Sequence, residues 1–272
     1  MSAIEATACE GVGFTYPDGT VALREVDLRI ASGTRVAIVG QNGSGKSTLV
    51  RQFNGLLRPT VGEVFVQGQA VGRRHVAELA HEVGLAFQNP DRQIFSGKVR
   101  TEVAFGPANL GIAGPALREA VDAALAAVGL TDAAEANPYD LGYSKRKLLT
   151  LASIIAMDTP ILVLDEPTTG QDARGVARIQ DIVGGLSGEG RTVIAISHDM
   201  RFVAETFERV IVMGAGRILL DGTPAEVFAQ PAWSTLARTY LEPPLAARVG
   251  DRLGLGSTPT EATLVEALAG RA

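Results

Sequence analysis

The chain has 272 residues, room for one large domain or for one domain with a small appendage. Apolar residues make up 46% and charged residues 20%, an ordinary globular composition. The net charge of −5 is spread without a basic block, which excludes a nucleic-acid footprint, and the single cysteine excludes an intramolecular disulfide. Met1–Glu5 lacks the basic flank and apolar core of a signal peptide. Residues 5–16 and 21–30 read as two strands round the turn Pro17-Asp18-Gly19-Thr20, with Cys9 as a small apolar strand residue. Residues 35–39 form a short β-branched run, hence a buried strand, and 47–53 can begin a helix. Strands are expected at 62–67 and 83–87. From about 99 to 157 the pattern is helical and alanine-rich, with Pro107, Gly114-Pro115 and Asn137-Pro138 as breaks. Strands return at 161–164, 192–196, 210–213 and 217–220, with a helix at about 172–186. Such alternation predicts an α/β fold with a largely parallel, helix-covered sheet.

This pattern divides the chain into a main domain over 1–222, with a helical subdomain inserted at about 92–158, and a small helical extension over 223–272. The longest apolar stretch, 148–164, is interrupted by Ser153, Asp158, Thr159 and Pro160 and is too broken to span a bilayer. Work at a membrane would go through a partner.

The run Gly40-Gln41-Asn42-Gly43-Ser44-Gly45-Lys46-Ser47 fits G-x-x-x-x-G-K-S/T between a strand and a helix. Its glycines let the backbone curl round a phosphate chain, and the helix N-terminus adds positive potential. Lys46 would reach the β- and γ-phosphates of ATP, and the Ser47 hydroxyl, followed by Thr48, would ligate Mg²⁺. Residues 161–166 are an apolar strand ending in two acids. Asp165 can hold Mg²⁺, and Glu166 can orient the attacking water. Residues 192–199 repeat the logic, so His198 can bond a γ-phosphate and steady that water. Gln88 closes the strand at 83–87, where an amide can reach both metal sphere and water. Tyr16, at the end of the first strand, offers an aromatic face to an adenine ring.

These pieces, in this order, resemble the ABC transporter ATPase family over nearly the whole chain. Tyr16 matches the A-loop aromatic, Gly40–Ser47 the Walker A loop and Gln88 the Q-loop. Residues 161–165 match Walker B, Glu166 the catalytic glutamate, Thr169–Asp172 the D-loop and His198 the switch histidine. The resemblance implies a P-loop NTPase core with a mainly parallel sheet, an N-terminal antiparallel β subdomain and an inserted helical subdomain. Residues 88–95, 103–111 and 241–248 are similar to segments of energy-coupling-factor transporter ATPases. Such complexes import vitamins or cobalt and nickel ions at the cytoplasmic face of the cell membrane. Two ATPase chains, alike or different, drive a transmembrane coupling subunit and a substrate-binding membrane subunit. The segment 89–95 is expected to hold the groove for the coupling subunit, with Asp91 and Gln93 in that role.

The family's signature, L-S-G-G-Q, appears here as Leu141-Gly142-Tyr143-Ser144-Lys145. In the family its serine and glycine N–H groups contact the γ-phosphate held on the opposite subunit. Tyr143 adds bulk there, Ser144 can cap the following helix or substitute a hydroxyl, and Lys145 or Arg146 can offer charge. The departure implies asymmetry. This chain's own loop hydrolyses ATP when a partner supplies a regular signature, whereas the site completed by 141–145 is slow or structural. The rivals are an ordinary ABC transporter ATPase, a nucleotide-gated subunit with little catalysis, and a soluble ATPase of translation or DNA repair. The last lacks support, because residues 99–157 show no sustained heptads and only one such domain is present.

Overall fold

The computed structural model describes residues 5–271; residues 1–4, most of the segment read above as lacking a signal peptide, and Ala272 lie outside it. Strands β1 (Glu5–Thr15) and β2 (Val21–Ala31) pair antiparallel round the expected turn. The chain then enters β3 (Arg35–Val39), turns into α1 (Lys46–Phe53) and returns through β4 (Val61–Val66) and β5 (Gln69–Ala70). The short α2 (Val76–Leu79) leads to β6 (Val83–Ala86). One sheet has the order β2-β1-β4-β5 and is antiparallel throughout.

Helices α3 (Val99–Asn109), α4 (Gly114–Val128) and α5 (Tyr143–Ile155) follow as a block and pack on one another. Pro107 does not break α3 as expected. It sits in the last turn, where the missing N–H costs one bond to the Val103 carbonyl, and Leu110 closes the helix on the Gly106 and Pro107 carbonyls. Asn137 does mark a stop, its side chain accepting from Tyr139 N–H at 3.0 Å.

The chain returns to the core through β7 (Ile161–Asp165), α6 (Ala173–Gly188), β8 (Thr192–Ile196), α7 (Met200–Thr206), β9 (Arg209–Gly214) and β10 (Arg217–Gly222). The second sheet has the order β10-β9-β3-β8-β7-β6. It is parallel except for the β9–β10 hairpin. Strands β3, β7 and β8 are near-continuous Val, Ile, Leu and Ala because helices or the other sheet cover both faces. Each Val, Ile or Leu side chain among them contributes about 1.5–3 kcal/mol when fully buried.

Register sets where these strands end. Ile38 pairs with Ile196 and Asp165 also pairs with Ile196, so β3, β7 and β8 finish side by side at one edge. Helices α8 (Pro224–Val227), α9 (Trp233–Arg238), α10 (Leu245–Arg252) and α11 (Glu261–Ala269) complete the chain. Val227, Phe228, Leu236, Leu241 and Ala247 join the same apolar core as the helical block, so this tail is packed onto the main body. Among the described residues no helix is long and apolar enough to cross a membrane.

Cys9 is buried between the sheets, and that burial, aided by Asp27, pushes its pKa up to about 12. The folded value lies above the unfolded one, so stability is kept below pH 9 and lost as pH rises toward 12. At pH 8 a thiol reagent should label nothing in the folded chain and one thiol per chain in guanidinium. Rapid labelling of the native protein would show that Cys9 is not core.

Candidate active site

Between Val39 and α1 the chain passes through residues 40–45. Gly45 is the N-cap of α1 at φ +101°, and a Cβ there would lie 2.6 Å from the Ala22 carbonyl oxygen, so only glycine fits. Ser44 N–H donates to the Gln41 carbonyl at 3.2 Å and closes the loop. Lys46 opens α1, and its ammonium folds back to donate to the carbonyls of Gly40 (2.5 Å) and Gln41 (2.9 Å). The Ser44 hydroxyl is buried without a hydrogen-bond partner. An orphaned donor beside a buried ammonium is what a phosphate oxygen would satisfy.

The other expected residues converge on this loop because their strands end together. Asn42 to Thr48, Gln88, Asp165, Glu166 and His198 line a cleft of about 140 Å³. Tyr16 stands beside it: its ring is edge-on to Phe14, and its hydroxyl is 2.9 Å from Thr48 Oγ1. Gly40 and Gln41 lie behind the cleft and turn their carbonyls to Lys46. A larger groove of about 1150 Å³ between α4 and α6 is lined by small apolar residues, many of them alanines, with charged side chains such as Arg174, Arg178 and Glu189 among them. It lies away from all these groups, so chemistry and not volume selects the smaller cleft.

Glu166 follows β7 in the left-handed region, φ +53°, with its N–H on the Ile196 carbonyl at 2.9 Å. His198 precedes Asp199, whose carboxylate caps α7 by accepting from Phe202 N–H at 3.0 Å. His198 Nε2 comes to 3.0 Å from Glu166 Oε1, yet Oε1 accepts no aligned hydrogen bond. The pair is close, and the acid keeps an acceptor for another donor. Burial, and then Asp165, raises the Glu166 pKa to about 7. Burial also raises Asp165, against the Ser47 hydroxyl that bonds it, and lowers Lys46, against Glu166 and Asp165. His198 is lowered by burial and by Lys46. An acid that titrates near neutrality is suited to taking a proton from water.

Ser47 and Asp165 bring a hydroxyl and a carboxylate into the same cleft, which Gln88 also lines. These hard oxygen donors fit Mg²⁺, which takes one or two protein ligands and completes its sphere with phosphates and water.

The segment 141–147 departs from expectation. Gly142 is the N-cap of α5, and Ser144 lies inside the helix without capping it. Its hydroxyl donates to Gln171 Oε1 at 2.7 Å, and Gln171 Nε2 donates to the Ser144 carbonyl at 3.1 Å. Arg146 spends its charge within the chain, on the Leu141 carbonyl (2.6 Å) and beside Asp91 (3.0 Å). Gln93 also turns inward and accepts from Phe87 N–H at 3.0 Å. Lys147, which sequence reasoning missed, is buried and bonds the Glu166 carbonyl. Desolvation lowers its pKa to about 8, with Glu166 and Asp165 opposing. The available signal was its place three residues after Ser144 and directly before an apolar run.

Because the folded Glu166 value exceeds the unfolded one, its carboxylate costs stability as pH rises through 7. Glu166→Gln should therefore stabilise the nucleotide-free chain by about 3 kcal/mol at pH 8.5 and by about 1 kcal/mol or less at pH 5. Denaturant titration at both pH values checks this, and equal effects at both would refute the buried-acid reading.

Comparison with known proteins fits this geometry. The family described as ABC transporter matches residues 23–169. The chain is 39% identical to the energy-coupling factor transporter ATP-binding protein EcfA of Methanothermobacter thermautotrophicus, over 93% of this chain and 81% of that one. It is 43% identical to EcfA1 of Methanospirillum hungatei, over 80% and 79%. Among solved structures, cbiO1 of Clostridium perfringens, part of the ABC transporter complex cbiONQ, superposes with a TM-score of 0.77. The identity is 32%, over 92% of this chain and 99% of that one. A dimeric ATP-binding cassette in a post-hydrolysis state, bound to ADP and phosphate, gives 0.75 at 25% identity, over 80% and 98%. Motif order, sheet topology and relatives agree: the chain belongs to the ATP-binding subunits of the ABC transporter family.

Proposed function

We propose that this chain is the ATP-binding and ATP-hydrolysing subunit of an energy-coupling-factor-type importer. The observation that carries the reading is the convergence of Lys46, Ser47, Gln88, Asp165, Glu166 and His198 on one cleft at the end of the parallel sheet. Phosphoryl transfer needs positioning and charge neutralisation more than covalent help. The loop N–H groups and Lys46 take the phosphates, exchanging the Gly40 and Gln41 carbonyls for phosphate oxygens. Mg²⁺, held by Ser47 and Asp165 with Gln88 beside it, supplies further charge neutralisation when bound. Glu166 and His198 place the attacking water, and the Tyr16 ring packs on the adenine. The chain divides functionally into the ATPase domain over 1–222, its helical insertion at about 92–158 and the extension from 223.

Two ATPase chains act as a dimer, as the dimeric cassette among the structural neighbours does. A groove of about 700 Å³ lined by Leu56, Leu57, Phe87, Gln88 and Asp91 offers an apolar floor with a polar rim. A coupling segment of a membrane subunit fits there, next to the Gln88 that senses nucleotide. The complex then sits at the cytoplasmic face of the membrane, and the imported substrate is recognised on another chain. The site completed by Leu141–Lys145 is the slower of the two, because Tyr143 stands where the family has glycine.

In this reading Glu166→Gln lowers Mg-ATPase turnover by about 100-fold or more and leaves ATP binding within a few-fold. Light scattering should then find an ATP-dependent dimer in the variant. Normal turnover in Glu166→Gln would remove Glu166 from its role.

A further inference from the structure

Helix α5 is fastened to the segment after β7 at three points. Tyr143 lies against Gly170, where φ is +76° and a Cβ would meet the ring at 2.7 Å. Ser144 and Gln171 exchange two hydrogen bonds, 2.7 and 3.1 Å. One turn further on, the buried ammonium of Lys147 donates to the backbone carbonyl of Glu166. Residues 143, 144 and 147 share one helix face, so all three point at the turn 166–171.

Glu166 is not glycine and yet holds φ +53°. That conformation persists only where neighbours over-determine it. Its N–H is fixed by the Ile196 carbonyl, and its own carbonyl by Lys147; the Thr169 N–H adds a long contact at 3.4 Å. Lys147 is only 5% exposed; its charge is offset by the neighbouring Asp165 and Glu166, and the hydrogen bond its ammonium donates goes to that carbonyl, which holds the Glu166 backbone in place.

We propose that Lys147 is a positioning residue for Glu166, and that with Tyr143 and Ser144 it makes α5 and the segment 166–171 one rigid unit within the chain. This rests on the ATPase reading above. The carboxylate of Glu166 is aimed from a backbone that α5 pins. The start of α5 is also the segment whose family counterpart meets nucleotide on the opposite subunit. Seating of α5 against that neighbour is thereby transmitted to the acid of its own site. Tyr143 and Ser144, which stand where the family signature has two glycines, are on this view parts of a latch with Lys147, not a decayed motif.

The test is Lys147→Met, which keeps the volume and loses the donor, beside Lys147→Gln, which keeps a donor without charge. In the full-length chain kcat should fall about tenfold or more in Lys147→Met. KM and fluorescent-ATP affinity should stay within about twofold, and Lys147→Gln should recover most of the loss. A kcat within about twofold of wild type in Lys147→Met, or kcat and affinity lost in equal measure, overturns the proposal. Should Lys147→Met fail to fold, the half-exposed pair Ser144→Ala with Gln171→Ala gives the reading. It should lower kcat by about threefold or more at unchanged affinity, and unchanged kcat overturns the latch. If wild type itself shows no turnover, the ATPase reading fails, and amide exchange at 166–171 still reads the latch. Loosening by about tenfold in a variant supports it, and unchanged protection overturns it.

Discussion

Two ammonium groups and two carboxylates are buried together where β3 and β7 end: Lys46, Lys147, Asp165 and Glu166 are each only 5 or 6% exposed. None of these charges could stay there alone, since each loses several kcal/mol of hydration. Every one of them opposes the desolvation of another. That mutual dependence constrains the rest of the fold. Strands must end in register to bring Asp165 beside the phosphate loop, α1 must start at Lys46, and α5 must run close enough for Lys147 to arrive. The cluster is balanced in sign but strained in protonation, with Glu166 near 7 and Lys147 near 8. A bound polyanion would take the hydrogen bonds of the buried Lys46 ammonium while a divalent cation offset its charge beside the two acids.

Most of the architecture was legible because it is written in local chemistry. Runs of Val, Ile and Leu that end in polar residues mark β7 and β8 as covered parallel strands, and the Gly-rich turn before Lys46 announces a phosphate loop. Pro107 was misread because a proline's effect depends on how far it stands from the helix end, which spacing alone does not tell. Of the two alternatives for Ser144, capping failed for a related reason. A serine near a helix start defaults to capping, but its partner Gln171 lies 27 residues away and the pairing exists only in three dimensions. Lys147 was illegible because a helical lysine ordinarily reads as solvated. Strand β5 and helices α2 and α8 are too short for any periodicity to register.

The altered signature takes on a different meaning once its contacts are seen. Two of its side chains, Tyr143 and Ser144, are spent inside the chain on Gly170 and Gln171, and the next residues of the helix, Arg146 and Lys147, are spent on Asp91 and Glu166. Arg146 ties the same helix to the segment after Gln88, which lines the groove offered to a membrane subunit. Helix α5 thus touches both the turn that carries Glu166 and, through Arg146 and Asp91, the edge of that groove. Packed, hydrogen-bonded helices shift as units, so on the proposed reading movement of α5 links the cleft to that groove.

The most direct test of the charge cluster as a nucleotide site is equilibrium binding of fluorescent ATP to the wild-type chain and to Lys46→Ala. Removal of the ammonium that now rests on the Gly40 and Gln41 carbonyls should weaken binding by about 100-fold, some 2.7 kcal/mol. Binding of equal strength in the two proteins would mean that the nucleotide, if it binds at all, does not lie in the cleft that the parallel strands build.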